Sequence, residues 1–317
     1  MLFDVSKGLY LMNKLIKCIS LSCLLLASFS PLAKQIAITF DDAPRPDTTY
    51  LNSAERNKHL LSALNKHDVT AMFFITTKHM QDGRDKRLLE YAQSNQLLAN
   101  HSHSHISAYK IPSADFIADV AKAHQILQTY TNYHAYFRFP YLHHGDTRQK
   151  RDELRAGLTT LGLKQGYITI DDSDWYLDSL FQQAVTADIP LQLDSWREVY
   201  INHIVASANY YQQLAEKNLM QAPKQVLLLH ENDLAALFMD ELIQAIKKDG
   251  WEIISPLEAY QDKIANRYPD TMHNNQGRLA AVLAEKGIAP NSMIQRSQRP
   301  EALKKQLENL GLIPVSE

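Results

Sequence analysis

Two histidines four residues apart, His101 and His105, and two adjacent acids, Asp41 and Asp42, are the residues of this sequence best suited to hold and use a cation. A spacing of four sets two imidazoles on one face of a helical turn, where they can share an ion, and turns His103 the other way. Two nitrogens and one carboxylate leave a coordination position open for water. That is the catalytic rather than the closed structural arrangement, and it suits zinc, with cobalt, nickel or iron as alternatives. A His-Ser-His-Ser-His run can equally be a polar loop, and the spacing by itself does not choose. Neighbouring carboxylates in a cleft are costly unless a cation neutralises them or they divide the work, one ligating and the other accepting a proton from a cation-activated water. A bare Asp-Asp pair can also cap a helix or close a turn.

Three further residues fit such a centre. His230 ends an apolar run. A lone histidine there is more often a satisfied core residue, but one placed across a cation from a base could protonate a leaving amine. Asp174 could orient that histidine and keep it charged. Arg138 could pair with the base carboxylate and lower its pKa, or form a surface salt bridge.

The elements that must position these residues follow from periodicity. Ile36–Phe40, Thr70–Thr76, Gln96–Asn100, Ala135–Arg138, Gly166–Ile170, Val226–Leu229 and Trp251–Ile254 read as strands, separated by apolar residues at helical spacing. A βα repeat of this kind predicts a parallel sheet with helices outside, either doubly wound or closed as a barrel one strand short of the usual eight. The reactive residues fall at the carboxyl ends of the first, third, fourth, fifth and sixth strands, the rim where βα folds build their sites. The longest interval, Tyr176 to Lys224, holds a predicted helix over Trp196–Lys217 and a loop able to wall a cleft; Tyr200, Tyr210 and Tyr211 read as packing residues. His143 and His144 are expected at the surface, with the cleft as the alternative. The predicted organisation is a segment at 1–33, a catalytic domain at 34–262 and a C-terminal helical extension at 263–317, with helices near Arg278–Lys286 and Pro300–Leu310 and no core of its own.

Hydrophobic residues make up 45% of the 317, as in a globular protein with a full core, and 33 basic residues nearly balance 35 acidic ones, for a net charge of −2. That leaves no electrostatic footprint for nucleic acid. Lys14 and Lys17 precede an apolar run from Ile19 to Phe29 ending in small residues, the pattern of a signal peptide, with Met12 as an alternative start. The expectation is export to the periplasm or medium with no integral span after cleavage; an uncleaved anchor is the alternative. Cys18 and Cys23 both lie in this segment, so the mature chain would carry neither disulfide nor thiolate chemistry. Ser20-Leu21-Ser22 is a poor match to the residues before a lipidated cysteine.

Taken together, these segments resemble the polysaccharide deacetylase family, the carbohydrate esterase family 4 enzymes with a NodB homology domain that act on chitin, peptidoglycan and xylan; the likeness runs from about Ile36 to Tyr260. Thr39-Phe40-Asp41-Asp42-Ala43-Pro44 looks like the first motif, which implies that Asp41 is the base and Asp42 a metal ligand; Ala43 replaces a commoner glycine. His101-Ser102-x-x-His105 resembles the second, implying two histidine ligands. Arg138-x-Pro140-Tyr141 looks like the third, implying that the arginine positions the base and the Tyr141 amide helps hold the oxyanion, with Leu142 standing where glycine is common. Asp171-x-x-Asp174-Trp175 is similar to the fourth, implying that Asp174 tunes the acid and Trp175 walls the pocket. Leu228-x-His230 resembles the fifth, implying a leucine beside the acetyl methyl and a histidine acid. The resemblance implies a distorted (β/α)7 barrel and a zinc-type divalent metal. It also implies an acetylated carbohydrate substrate, N-acetylated by preference, with O-acetyl esterase activity on xylan-like glycan or glycan binding without turnover as alternatives.

Overall fold

The structure is a computed structural model in which residues 34–273, 275–295 and 299–315 are described. The predicted leader and both cysteines lie outside them. No helix among the described residues is long and apolar enough to cross a membrane. Lys34–Glu317 form one compact unit.

Seven parallel strands make the sheet: β1 (Lys34–Ala43), β2 (Met72–Ile75), β3 (Leu97–Asn100), β4 (Tyr133–Phe137), β5 (Lys164–Gln165), β6 (Gln225–His230) and β7 (Trp251–Ile253). Their order is β5-β4-β3-β2-β1-β6, with β7 beside the start of β1. Most of β1 is buried, as expected of a parallel strand covered on both faces, and its register sets Asp41 opposite His230. The β1–β2 register shifts between Phe40 and Ala43, where Asp42 takes a left-handed φ of 66°. Ala43 has no such conformation, so alanine serves where a glycine is commoner.

The fifth strand differs from its predicted span. Only Lys164 and Gln165 pair with β4, and the chain then crosses toward β6, where Ile170 bridges Leu227. Between these points Ile168 O accepts a hydrogen bond from Arg278 N at 2.7 Å, so the middle of the apolar run is paired by the C-terminal segment and not by a neighbouring strand. Thr169 N and Ile170 N then donate to Val226 O at 3.0 and 3.1 Å, and Leu228 N donates to Ile170 O at 3.2 Å, so the curled sheet closes through this short stretch and the molecule is a distorted (β/α)7 barrel.

Helices pack around it, including Ser53–Lys66 with an Asn52–Glu55 capping box, Ser113–Leu127, Leu193–Asn218 and Asp233–Lys248. Tyr200 and Tyr211 are buried. Beyond Asp262, helices Gly277–Glu285 and Pro300–Asn309 place Leu279, Leu283, Leu303 and Leu307 in the same hydrophobic core as the sheet.

Candidate active site

At the carboxyl ends of the strands lies a cleft of about 590 Å³, lined by Asp41, Asp42, Arg45, His101, His105, Tyr141, Leu142, Asp171, Ser173, Trp175, Ser179, Leu228, His230 and Asn275. Asp42, His101 and His105 each aim one ligand atom inward, all within 4.8 Å of one another. The histidines do not share a helical turn as the spacing suggested. His101 to Pro112 is a loop in which Ser102 and His105 adopt left-handed φ of 70° and 57°. Side chains supply the hydrogen bonds that a helix would have made: Asn100 Oδ1 accepts from Ser102 N (2.7 Å), Ser102 Oγ from His105 N (3.0 Å), and Asp119 Oδ2 from His103 N (3.0 Å). His103 turns away to Thr77 Oγ1.

The three residues fit a divalent cation. His101 Nδ1 donates to Arg138 O at 2.9 Å, which leaves Nε2 as the lone-pair nitrogen facing Asp42. Asp42 Oδ1 is buried and accepts no hydrogen bond of proper geometry, although His105 Nε2 lies 2.9 Å away and His101 Nε2 3.6 Å. An oxygen and two nitrogens converging without a shared proton is a donor set for a metal. Their charge states agree: burial pushes His101 down to about 4, keeping it neutral. Burial alone would raise Asp42, but His105, His230 and His101 outweigh it and hold the carboxyl well below its ordinary value.

Asp41 sits beside this set, its Oδ2 3.6 Å from His101 Nε2. Arg138 Nη1 donates to Asp41 Oδ1 (2.6 Å) and to Thr39 Oγ1 (2.9 Å), Nη2 donates to Tyr260 OH (3.1 Å), and Nε donates to Gly166 O (2.8 Å). The guanidinium lies 3.8 Å over the Phe74 ring and is buried. This Arg–carboxylate pair is therefore a dry, fully partnered one, unlike the surface salt bridge that was the alternative.

Across the cleft, His230 Nδ1 donates to Asp174 Oδ1 at 2.7 Å, while Asp174 Oδ2 accepts from His230 N (2.9 Å) and Asn232 Nδ2 (2.8 Å). Burial would lower the imidazole, but Asp174, with Asp42 and Asp41 behind it, raises it to about 9. Tyr141 and Leu142 have φ of 58° and 54°, so the leucine in the place of a glycine keeps the left-handed path. Tyr141 and Trp175 are exposed at the rim and Leu228 is buried in the wall. Pro140 is buried at the start of a 3-10 turn and does not line the cleft. His143 and His144 are also off it, stacked on Tyr109 (4.0 Å) and Phe139 (4.4 Å).

Arg45, Ser173, Ser179 and Asn275 line the cleft without having been singled out, as does Asp171, known only as a motif position and raised to about 6 by burial. Thr39 and Tyr260 complete the Arg138 web. Thr39 stood inside the first motif, but nothing local marks Tyr260 or Asn275.

Residues 30–165 match the polysaccharide deacetylase family. No curated protein matches the chain. Among solved structures, a variant of a CE4 family pseudoenzyme with restored enzymatic activity aligns at a TM-score of 0.52 and 20% identity, covering 72% of this chain and 68% of its own. The wild-type pseudoenzyme, from Bacillus anthracis, aligns at 0.51 and 18%, covering 72% and 66%. A peptidoglycan deacetylase from Bacillus subtilis aligns at 0.49 and 18%, covering 73% and 92%. At such identities the likeness to the pseudoenzyme and its variant is one of fold.

Proposed function

We propose that this chain, a member of the polysaccharide deacetylase family through residues 30–165, is an exported, metal-dependent hydrolase that removes acetyl groups from an N-acetylated, chitin- or peptidoglycan-like sugar chain. The observation that carries this reading is the convergence of the Asp42, His101 and His105 ligand atoms within 4.8 Å, in one cleft with Asp41 and His230.

A divalent cation, zinc by preference, held by Asp42, His101 and His105 would supply Lewis-acid activation of water and polarisation of the acetyl carbonyl. Asp41, held in place by the hydrogen bond from Arg138 Nη1, takes the proton of the attacking water. The Tyr141 amide N–H donates to the oxygen that gains charge in the tetrahedral state. His230, kept charged by Asp174, gives its proton to the departing nitrogen, a step that an amide needs more than an ester does. Trp175 and Leu228 enclose the sugar and the acetyl methyl, with Pro140 fixing the turn behind Tyr141.

Acetate release from N-acetylglucosamine oligomers, peptidoglycan fragments and acetylated xylan, with metal content read in parallel, tests this. Asp41→Asn should lower turnover by about 10²- to 10⁴-fold and keep its metal, whereas His101→Ala should lose both. Full activity in metal-stripped protein would overturn the mechanism. Release from acetylated xylan alone would make the chain an O-acetyl esterase, and saturable sugar binding without release would make it a binding protein.

A further inference from the structure

Arg45 is held at the cleft wall by an unusual clamp. Its backbone N–H donates to Glu231 Oε2 at 3.0 Å, and its carbonyl accepts from Arg56 Nη1 at 3.2 Å. Glu231 and Arg56 are both fully buried, and Arg56 is anchored in turn to Asp233 Oδ1 at 2.8 Å. Two buried ionisable side chains thus fix the main chain of a single residue whose side chain opens into the site.

The guanidinium, by contrast, is barely used. Its only ion pair among the described residues is with Asp178 Oδ2 at 3.5 Å, Glu231 feels its charge from further off, and no side-chain hydrogen bond is donated by it to a described residue. Asp178 is itself engaged elsewhere, its Oδ1 accepting from Asp233 N at 3.0 Å and Leu234 N at 3.3 Å. The Arg45 side chain is 29% exposed. It is therefore withdrawn from much of its water, compensated on one edge only, and aimed from a rigid backbone, which is the preorganised state of a recognition group. Arg138, the other arginine nearest the chemistry, is fully engaged by Asp41, Thr39, Tyr260 and Gly166. Sugar hydroxyls could be met by the neutral side chains already in the wall, Ser173, Ser179 and Asn275. A planar fork with its donors free matches a carboxylate, which it can bind through two parallel hydrogen bonds.

We propose that Arg45 reads a carboxylate on the glycan, so that the preferred substrate is an acidic N-acetylated sugar chain and not a neutral one. This rests on the deacetylase reading for its chemistry but on Arg45 alone for its selectivity. The carboxylate can belong to a uronic acid or to a lactyl ether on the amino sugar.

Three probes separate these cases: a neutral N-acetylglucosamine tetramer, an oligomer alternating N-acetylglucosamine with uronic acid, and one alternating it with its lactyl ether. Both kcat/KM for acetate release and Kd by calorimetry are measured for the wild type, Arg45→Met and Arg45→Lys. The acidic-to-neutral ratio should favour one acidic probe in the wild type, fall roughly 10- to 100-fold in Arg45→Met, and be partly kept in Arg45→Lys. It should also shrink as salt rises from about 0.05 to 0.5 M. A wild type without acidic preference, or a ratio in Arg45→Met within about twofold of wild type on both acidic probes, overturns the proposal. If no probe yields acetate but the Kd ratio behaves as stated, the hydrolase reading falls and the Arg45 assignment stands.

Discussion

At the scale of single residues the site is an arrangement of charges whose neighbours decide their protonation. His230 shows this most directly, because burial alone would drive its imidazole neutral and Asp174 reverses the sign, lifting it to about 9. A proton donor must be loaded before it can act, so activity should persist on the alkaline side until the pH approaches that value. In Asp174→Asn the largest charge that opposes burial is gone and only Asp42 and Asp41 still oppose it, so His230 should titrate well below its wild-type value of about 9. The alkaline limb of the kcat profile should then move to lower pH, with at least about a tenfold loss at pH 8. The same linkage has a stability signature. A histidine whose pKa is raised on folding adds stability fully present below about 6.5 and lost as pH climbs through about 9. Urea midpoints across that window should therefore fall in the wild type and stay flatter in the variant. An unmoved alkaline limb would remove His230 from the role of acid.

At the scale of elements, the barrel depends on a strand that the sequence presents as regular and the fold does not. Gly277, with φ of +85°, brings the C-terminal helix close enough that a Cβ would lie 2.7 Å from Ile168 Cγ1 and 2.8 Å from Ile168 O. Gly277→Ala meets both a left-handed backbone and a main-chain oxygen, and should cost about 2–4 kcal/mol in a denaturant titration. Wild-type stability in that variant would mean that the contact with Ile168 yields easily. This contact also explains what the sequence could and could not reveal. Periodicity located β1, β2, β3, β6 and β7 because each is a contiguous run, and the chemistry at their ends is local in the chain. Gly166–Ile170 carries the same apolar signal, yet its middle pairs with a residue more than a hundred positions away, and no local pattern encodes that. His101 and His105 are legible as a pair, but spacing alone does not choose between a helical turn and a loop, because the left-handed φ at Ser102 and His105 falls on residues that do not advertise it. Arg45 opens a loop after the first strand, where substrate choice is expected, but the places of its side chain, of Tyr260 and of Asn275 are set by tertiary packing that no local pattern encodes.

For the whole molecule, the question is whether the segment after Asp262 is an appendage or a part of the barrel. Its side chains Leu279, Val282, Leu283, Met293, Leu303, Leu307, Leu312 and Ile313 are all buried in the same core as the sheet. Gln276 Nε2 donates to the buried Tyr211 OH at 3.0 Å, and Arg278 N donates to Ile168 O at 2.7 Å. Asn275 reaches the cleft wall itself. Removing the segment would leave Ile168, Tyr167 and Tyr211 without their cover and the gap beside β5 without its partner. Uncovering a large apolar side chain costs about 1.5–3 kcal/mol, and a domain's whole margin is only about 5–15 kcal/mol. A chain ending at Asp262 should therefore melt at least about 10 °C below the full chain, bind a hydrophobic dye and lose acetate release, even though every proposed ligand and catalytic residue is retained. The comparison with Gly277→Ala is what makes the test informative. If docking of this segment is what closes the barrel, the point variant should lose stability in the same direction but less, with cleft geometry read through its metal affinity. A truncated chain with wild-type melting and turnover would show instead that the barrel closes through the Ile170–Leu227 bridge unaided.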